Sequence, residues 1–179
     1  MKKTNKLNMI KLNKLNIKFD SYEETPYFQV STERRIRFGM ENLNVNLIKE
    51  IIDFVLNKDS NINVIFISEY IVNNKRFSAK SKIGGYIDIK NWKETIVYEE
   101  DSNDGMIYAT IKNIKKQNVI TYCSKIFNGH TGAYISFYTD EFLLYVSTDV
   151  IDIVSDNESK VDKLKEKYIG IYDRYHEEN

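Results

Sequence analysis

Residues 133–154 read AYISFYTDEFLLYVSTDVIDIV, which is three apolar runs separated by two short polar segments. The runs at 133–138, 142–146 and 150–154 are rich in aromatic and β-branched side chains, which pack well on a pleated sheet. The polar segments TDE and STD between them have the length of hairpin turns. We therefore predict three antiparallel strands that form a meander, and we expect the rest of the fold to pack on it.

An amphipathic helix is predicted directly after the third strand. Apolar residues recur there at helical spacing and share one face: Val161, Leu164, Tyr168, Ile171, Tyr172 and Tyr175. Ser155 is the predicted N-cap because Glu158, three residues later, completes a capping box. Gly170 lies within the apolar stripe, so we expect a close approach to the sheet at that position. Burial of this stripe on the meander is expected to stabilise the whole fold.

Upstream of residue 133, the periodicity of apolar residues predicts two more helices and several strands. The first helix covers 45–56 and is capped by Asn42 or Asn44. A shorter helix covers 119–128 and is capped by Asn118. The remaining segments are strands at 14–19, 62–72, 86–89, 95–98 and 106–111, a long strand or hairpin at 27–38, and a loop at 73–82.

The predicted fold is a single α+β domain that covers residues 14–179. The chain of 179 residues is long enough for one substantial core, and its 13 tyrosines favour sheet. We predict a mainly antiparallel sheet with two longer helices and one shorter helix packed largely on one face. Residues 1–13 are predicted to be a basic N-terminal tail. The order strand, helix, strand over 27–72 also permits a parallel pair with a right-handed crossover.

The overall charge and composition disfavour several classes of protein. The 26 basic and 26 acidic residues balance, whereas a general nucleic-acid coat needs a net basic face. The lone Cys123 excludes an internal disulfide framework and a cysteine-based zinc site. No apolar run approaches the ~20 residues needed to cross a bilayer, and polar residues interrupt any signal-peptide core. We therefore expect a cytoplasmic protein that uses no membrane, metal or cofactor.

Candidate catalytic residues are few. Cys123 and His130 could form a nucleophilic dyad, but Cys123 falls on the apolar stripe of its predicted helix, where a thiol is usually inert packing. Gly84-Gly85 lacks the Lys and Ser/Thr of a phosphate-binding loop. We therefore predict no catalytic residues. An enzyme with paired carboxylates of the glycosidase type remains an alternative, because such carboxylates carry no local sequence signature.

Two arginines and one tryptophan are open to more than one interpretation. Arg35 and Arg37 lie on one face of a predicted strand, where they could bind phosphate or carboxylate or pair with acids on neighbouring strands. Together with the lysines between Lys2 and Lys18, they are also the only candidates for contact with nucleic acid. Trp92 is interpreted as a core residue, or alternatively as an anchor for a partner.

Acidic residues concentrate in two predicted turns. The candidate partner-binding residues are Glu99, Glu100, Asp101, Asp104, Asp140 and Glu141. An EF-hand calcium loop does not fit the first turn, because the required Gly and Glu are replaced by Met106 and Lys112. The turns could present a negative surface to a basic protein, or they could be acidic only because Asp favours turns.

The end of the chain resembles a known family. The segments DVIDIVS at 149–155, EKY at 166–168 and YDR at 172–174, together with IRFG at 36–39, resemble a family of bacterial domains of unknown function. Ile171 stands where that family has the first Asp of its tail motif. The resemblance implies an α+β fold and no particular activity.

These observations lead to a non-enzymatic cytoplasmic domain that binds another protein through acidic surfaces. One form of this function is an immunity-type protein that neutralises a basic toxin. The alternative is a carboxylate-dependent hydrolase or transferase, which would require convergent acids in a cleft. Binding to nucleic acid is disfavoured by the balanced charge.

Overall fold

The computed structural model describes residues 8–56 and 61–177. Over these residues an eight-stranded sheet lies between a layer of three α-helices and a short β-hairpin. The hairpin consists of β1 (Met9–Leu12) and β2 (Leu15–Lys18). The strands of the sheet are β3 (Arg35–Gly39), β4 (Ile62–Val72), β5 (Lys75–Ser78), β6 (Lys93–Tyr98), β7 (Gly105–Ile114), β8 (Ile135–Tyr138), β9 (Phe142–Val146) and β10 (Val150–Ser155). The helices are α1 (Val45–Val55), α2 (Lys116–Phe127) and α3 (Glu158–Lys167).

The order of strands in the sheet is β3-β10-β9-β8-β4-β7-β6, and β5 pairs with the end of β4 that extends beyond β8. Each of the pairings described is antiparallel. The predicted meander is confirmed as β8-β9-β10, which lies in the middle of the sheet. The parallel pair that the sequence permitted is wrong, because three strands separate β3 from β4.

The three helices pack on one face of the sheet, as the α+β prediction requires. Helix α1 confirms the helix predicted at 45–56 and buries Ile48, Ile51, Ile52 and Val55. Its N-cap is Asn44, whose side chain accepts a hydrogen bond from the Leu47 N–H at 2.9 Å. Helix α2 was predicted to be the shorter helix, yet it spans 12 residues and begins before the predicted cap. Asn118 lies inside α2, where its side chain accepts from the Lys115 N–H at 3.2 Å.

Helix α3 is anchored on the sheet by Val161, Leu164 and Tyr168, all of which are buried. The ring of Tyr168 packs edge-on against Phe38 of β3, with 5.5 Å between centroids. The predicted cap Ser155 is wrong by two residues: it is the last residue of β10, and Asn157 caps the helix. The side-chain amide oxygen of Asn157 accepts a hydrogen bond from the Lys160 N–H at 3.3 Å, which is the capping contact.

Helix α3 ends at Lys167, before the predicted stripe does, and Gly170 follows with a left-handed φ of 81°. Ile171 and Tyr172 of the predicted stripe lie outside the helix but still pack half-buried against the core. The close packing predicted at Gly170 is wrong, since no atom lies within 4 Å of a Cβ built there. The chain then turns back to the sheet, and the Asp173 N–H donates to the Arg37 carbonyl at 2.8 Å. Tyr175, predicted on the stripe, is 81% exposed.

The second face of the sheet is covered by the hairpin and by the segment that follows it. Hairpin residues Ile10, Leu12 and Ile17 form a second core with residues of the sheet. Residues 9–12 are therefore a strand, which differs from the predicted tail at 1–13; residues 1–7 lie outside the described part of the chain.

Three other segments differ from the sequence-based predictions. Two 3₁₀ turns, at Pro26–Gln29 and Thr32–Arg34, replace the first part of the strand predicted at 27–38. The loop predicted at 73–82 contains β5. The strand predicted at 86–89 is wrong, since this segment is irregular and follows a 3₁₀ turn at Ile83–Gly85.

The dependence of the fold on α3 can be tested by truncating one of its buried side chains. Leu164→Ala removes a fully buried side chain, and it is expected to lower the free energy of unfolding by ~2–5 kcal/mol. Urea denaturation followed by circular dichroism measures this change. The matched control is Ile169→Ala, because Ile169 is 70% exposed just after the helix. An equal loss in both variants would contradict the packing described.

Candidate functional site

The six acidic residues singled out from the sequence lie at opposite ends of the sheet. Glu99, Glu100, Asp101 and Asp104 lie in the turn between β6 and β7, next to the C-terminal end of β4, because Gly105 pairs with Ile71. Asp140 and Glu141 follow β8, whose last residue, Tyr138, pairs with Asn63 near the start of β4. The structure therefore does not bring the two turns together into one acidic patch.

Several of these carboxylates already bind groups of the chain itself. Glu141 forms an ion pair with Lys160 of α3 at 2.6 Å and accepts from the Asn157 side chain at 3.3 Å. These contacts link the β8–β9 turn to the start of α3. In the other turn, Asp104 accepts from the Asn73 N–H at 2.7 Å, and Glu99 accepts from the Tyr22 hydroxyl.

An exposed set of large apolar side chains lies beside the acidic β6–β7 turn. Tyr70 of β4 pairs with Phe77 of β5 on one side and with Met106 of β7 on the other. Residues paired in this way across antiparallel strands project from the same face. Tyr70 is 42% exposed and Phe77 is 52% exposed. We call this set the aromatic surface; its members are the exposed residues Tyr22, Tyr70, Val72 and Phe77 and the half-buried Met106.

Tyr22 connects the aromatic surface to the acidic turn. Its neighbour Ser21 contacts the sulfur of Met106, with 2.7 Å between Oγ and Sδ, and its own hydroxyl donates to Glu99. Burial and the Glu99 carboxylate both raise the pKa of the Tyr22 hydroxyl, so Tyr22 stays protonated and keeps donating at neutral pH. Glu100 and Asp101 are exposed at the tip of the same turn.

On the opposite face of β4, β5 and β6, charged side chains form ion pairs with one another. Arg76 of β5 binds Glu69 of β4 and Glu94 of β6, the latter at 2.9 Å. Ile107 of β7 pairs with Glu69 and is fully buried. Trp92 also lies on this face: its ring packs edge-on against Phe66, with 5.4 Å between centroids, and 40% of the residue is exposed. Trp92 thus combines the two roles considered for it, since one side packs on the core and the rest reaches solvent.

Arg35 and Arg37 are internal and do not form an open anion site. Arg37 binds Asp152 of the neighbouring strand β10 through two hydrogen bonds, of 2.6 and 2.8 Å. Its guanidinium also stacks over the Tyr27 ring at 4.2 Å. Arg35 lies 4.3 Å from the same ring and donates to the carbonyls of Tyr27, Val30 and His176. The structure therefore supports pairing with an acid for Arg37 and main-chain binding for Arg35.

The carboxylate of Asp152 is fully buried, so its ionisation depends on Arg37. Burial raises the pKa of the Asp152 carboxyl, while the hydrogen bonds and charge of Arg37 oppose this rise. A buried charge that loses its partner is strongly destabilising, whereas replacement of both partners by apolar residues is often tolerated. The pair thus ties the edge strand β3 to β10.

Removal of one partner of this ion pair is expected to destabilise the protein in a pH-dependent way. Arg37→Met leaves the Asp152 carboxylate buried and unpaired, which costs ~3–5 kcal/mol near neutral pH. Because the pKa of Asp152 in the folded variant then rises further above its unfolded value, the variant loses stability as the pH rises through that folded pKa. Below the unfolded pKa of the carboxyl, the deficit relative to wild type is smaller.

Urea denaturation of wild type and variant at about pH 4 and about pH 7 measures this difference. The double variant Arg37→Met/Asp152→Leu is the control, and it is expected to recover most of the lost stability because it buries no charge. A deficit that is the same at both pH values would show that Asp152 does not cause it.

Cys123 and His130 do not form a catalytic pair in the structure. Cys123 is fully buried in α2, and burial raises the pKa of its thiol to about 12. His130 is exposed in the loop after α2, where its Nδ1 lies 3.5 Å from the Tyr86 hydroxyl. The interpretation of Cys123 as inert packing agrees with this position.

The buried thiol predicts slow chemistry with thiol reagents. Because only the thiolate reacts, Cys123 in the native protein is expected to resist dithionitrobenzoate at about pH 8, and to react completely in concentrated urea. Absorbance at the wavelength of the released thiolate follows the reaction. Fast reaction of the native protein would contradict the position of Cys123 in the core.

Two surface pockets are large enough for small ligands. One, of about 240 Å³, lies between the end of α2 and strands β8 and β9, and is lined by Tyr122, Tyr134 and Tyr145 among others. The other, of about 230 Å³, lies between the hairpin and strands β6 and β7. Neither is lined by Asp or Glu.

Within residues 8–56 and 61–177, no group of three or more His, Cys, Asp or Glu side chains could hold a metal ion. In the same residues, no helix has the length and apolarity for a membrane span.

Of the features that carry the candidate site, sequence reasoning found the acidic β6–β7 turn and missed the aromatic surface. Phe77 was placed in a loop, because a single apolar residue among Lys75, Arg76 and Ser78 gives no alternating pattern that would indicate a strand. Tyr70 and Val72 were assigned to the strand at 62–72, without a prediction that its end would be exposed. Their exposure arises because β4 extends beyond the layers that cover the sheet. How far those layers reach depends on tertiary packing, which local sequence patterns do not reveal.

No protein-family model, curated protein or solved structure matches the chain. The resemblance of residues 149–174 to a family of bacterial domains therefore stays a prediction. The function has to be inferred from the geometry of the surfaces described above.

Proposed function

We propose that this protein binds another protein through the aromatic surface and the acidic turn beside it. The observation that carries the proposal is the row Phe77, Tyr70 and Met106 across three adjacent strands, in which Phe77 and Tyr70 are exposed and Met106 is half-buried beside them. Interfaces are enriched in aromatic side chains and methionine at their centres, with charged residues at the rim. The aromatic surface supplies such a centre, and Glu99, Glu100, Asp101 and Asp104 supply an acidic rim.

The chemistry of the rim supports a basic partner. Four acidic residues and no base occupy positions 99–104, and charge complementarity mainly speeds association and selects the partner. Apolar contact at Tyr70 and Phe77 would instead slow dissociation, because hot-spot residues in a desolvated centre contribute most of the affinity. Asp140 and Glu141 lie at the other end of the sheet, so the proposal places only the first acidic turn in the interface.

A specific form of this function is an immunity-type protein that neutralises a basic toxin in the cytoplasm. Blocking a toxin that attacks nucleic acid requires only a stable complementary surface and no catalysis by this chain. The alternative function, a carboxylate-dependent hydrolase or transferase, has less support. Its catalytic acids would have to converge in a cleft, whereas both pockets described above are lined without carboxylates.

The proposal predicts distinct kinetic effects for the two parts of the surface. Against a basic toxin encoded beside the gene, Phe77→Ser is expected to weaken binding at least about tenfold through faster dissociation. The pair Glu100→Lys/Asp101→Lys is expected to slow association and to reduce its dependence on salt. Surface plasmon resonance at two salt concentrations measures both rates, and growth during co-expression reports neutralisation.

The control is Ile169→Ser, which removes an exposed apolar side chain elsewhere on the surface and is expected to leave both rates unchanged. Unchanged toxicity when wild type is co-expressed would reject the immunity-type form. Equal binding by wild type and Phe77→Ser would reject the aromatic surface as the interface.

A further inference from the structure

The pocket between the hairpin and strands β6 and β7 has a lining rich in hydrogen-bond donors. Lys93 and Thr95 of β6 and Thr110 and Lys112 of β7 contribute polar side chains to it. Lys93 pairs directly with Thr110, so Lys112 is its diagonal neighbour two residues further along β7. Diagonal neighbours in an antiparallel pair lie roughly 7–8 Å apart. Two ammonium groups can therefore reach one ligand from adjacent strands.

The position of Lys112 is fixed by a side chain from outside the strands. The Asn91 side chain accepts from the Lys112 N–H at 2.8 Å and donates to the Lys112 carbonyl at 3.3 Å. Asn91 thereby replaces the strand that would otherwise pair with β7 beyond Lys93. No carboxylate among the described residues forms an ion pair with Lys93 or Lys112. Both charges are thus open to a ligand.

A buried amide on the hairpin side of the pocket has an unused donor. Asn8 is only 8% exposed, yet its Nδ2 has no hydrogen-bond partner in the part of the chain that the structure describes. A buried donor without a partner costs about 1–3 kcal/mol, so such groups usually bind a ligand or ordered water. Because Asn8 lines the pocket, that partner can be supplied from within it.

Tyr138 of β8 completes the lining with a hydroxyl group. Burial raises the pKa of Tyr138, so this hydroxyl remains protonated at neutral pH and can donate. The polar groups of the pocket are therefore two cations, one amide and three hydroxyls, without a carboxylate that would repel an anion. The volume of about 230 Å³ lies below the roughly 300–1,000 Å³ of sites for drug-sized ligands.

We infer that this pocket binds a phosphoryl group, either as free phosphate or as the end of a small phosphate monoester. Phosphate carries a charge close to −2 and several acceptor oxygens, which match two lysines and a set of neutral donors. Lysine binds phosphate as a point charge and therefore tolerates the open geometry of adjacent strands. The site is separate from the aromatic surface, since the two lie toward opposite ends of β4.

The inference predicts saturable binding of phosphate that depends on the lining residues. Titration of ¹⁵N-labelled protein with inorganic phosphate, at constant ionic strength maintained with chloride, is expected to shift the amide signals of Asn8, Thr95, Thr110 and Lys112. Lys93→Gln and Lys112→Gln are each expected to weaken binding about tenfold, since each removes a charged hydrogen-bond donor. Asn8→Ala is expected to weaken it about fivefold.

The matched control is Lys75→Gln, which removes a lysine of the exposed strand β5 and is expected to leave phosphate binding unchanged. Glycerol 3-phosphate is titrated in parallel. Tighter binding of glycerol 3-phosphate than of phosphate would identify a phosphate ester as the ligand class, and equal binding would identify phosphate itself.

Three results would overturn the inference. These are the absence of saturation at millimolar phosphate, an equal response to chloride alone, and an equal loss of affinity in Lys75→Gln and Lys112→Gln. Tighter binding of a single-stranded oligonucleotide than of either small anion would overturn the assignment to a small ligand. Phe77→Ser is expected to retain phosphate binding, so a failure here is distinguishable from a failure of the proposed protein interface.

Discussion

The central sheet has two apolar faces, and the need to cover both determines the rest of the structure. Alternate residues of β9 show this directly: Leu144 belongs to the core beneath the helices, and Leu143 belongs to the core beneath the hairpin. Side chains in a strand alternate between faces, so a central strand of this composition is stable only between two layers. The helices supply one layer, and a hairpin of two four-residue strands supplies the other.

The two layers differ greatly in length, and the functional surfaces follow from that difference. Each hairpin strand spans about 13 Å, whereas the 11 residues of β4 span about 36 Å. The hairpin covers the middle of the face around Ile65 and Ile67. Beyond one end of it lies the aromatic surface, and beside its other end lies the donor-rich pocket. Polar side chains line the pocket at one end of the hairpin. At the other end apolar side chains remain exposed, and an exposed apolar patch of this kind marks an interaction site.

The sequence predicted the parts of the fold that depend on local pattern. The run AYISFYTDEFLLYVSTDVIDIV contains both the strands and the turns of the meander. Helix α1 is equally local, and its cap is Asn44, one of the two residues that the sequence offered. Errors arose where distant residues decide the outcome. Ser155 has the chemistry of a cap, but its main chain continues the pairing of β10 with β9 through Phe142, so the helix begins two residues later. Met9–Leu12 is a short segment among basic residues, so its local pattern does not predict a strand. It becomes a strand because β2 pairs with it.

The candidate site was harder to predict than the fold, because function here depends on what is left uncovered. Acidic residues could be counted in the sequence, yet Glu141 is bound by Lys160 from α3, and only the first turn adjoins exposed aromatic side chains. Likewise, Arg35 and Arg37 had the best pattern for an anion site, but Asp152, a ring and three main-chain carbonyls occupy them. Lys93 and Lys112 had no distinguishing pattern and remain free of carboxylates among the described residues. Arg35 and Arg37 already have the partners that stabilise them, so they are not available to a ligand. Lys93 and Lys112 are proposed as ligand-binding residues because they line one pocket together with the buried amide of Asn8, whose Nδ2 has no partner among the described residues.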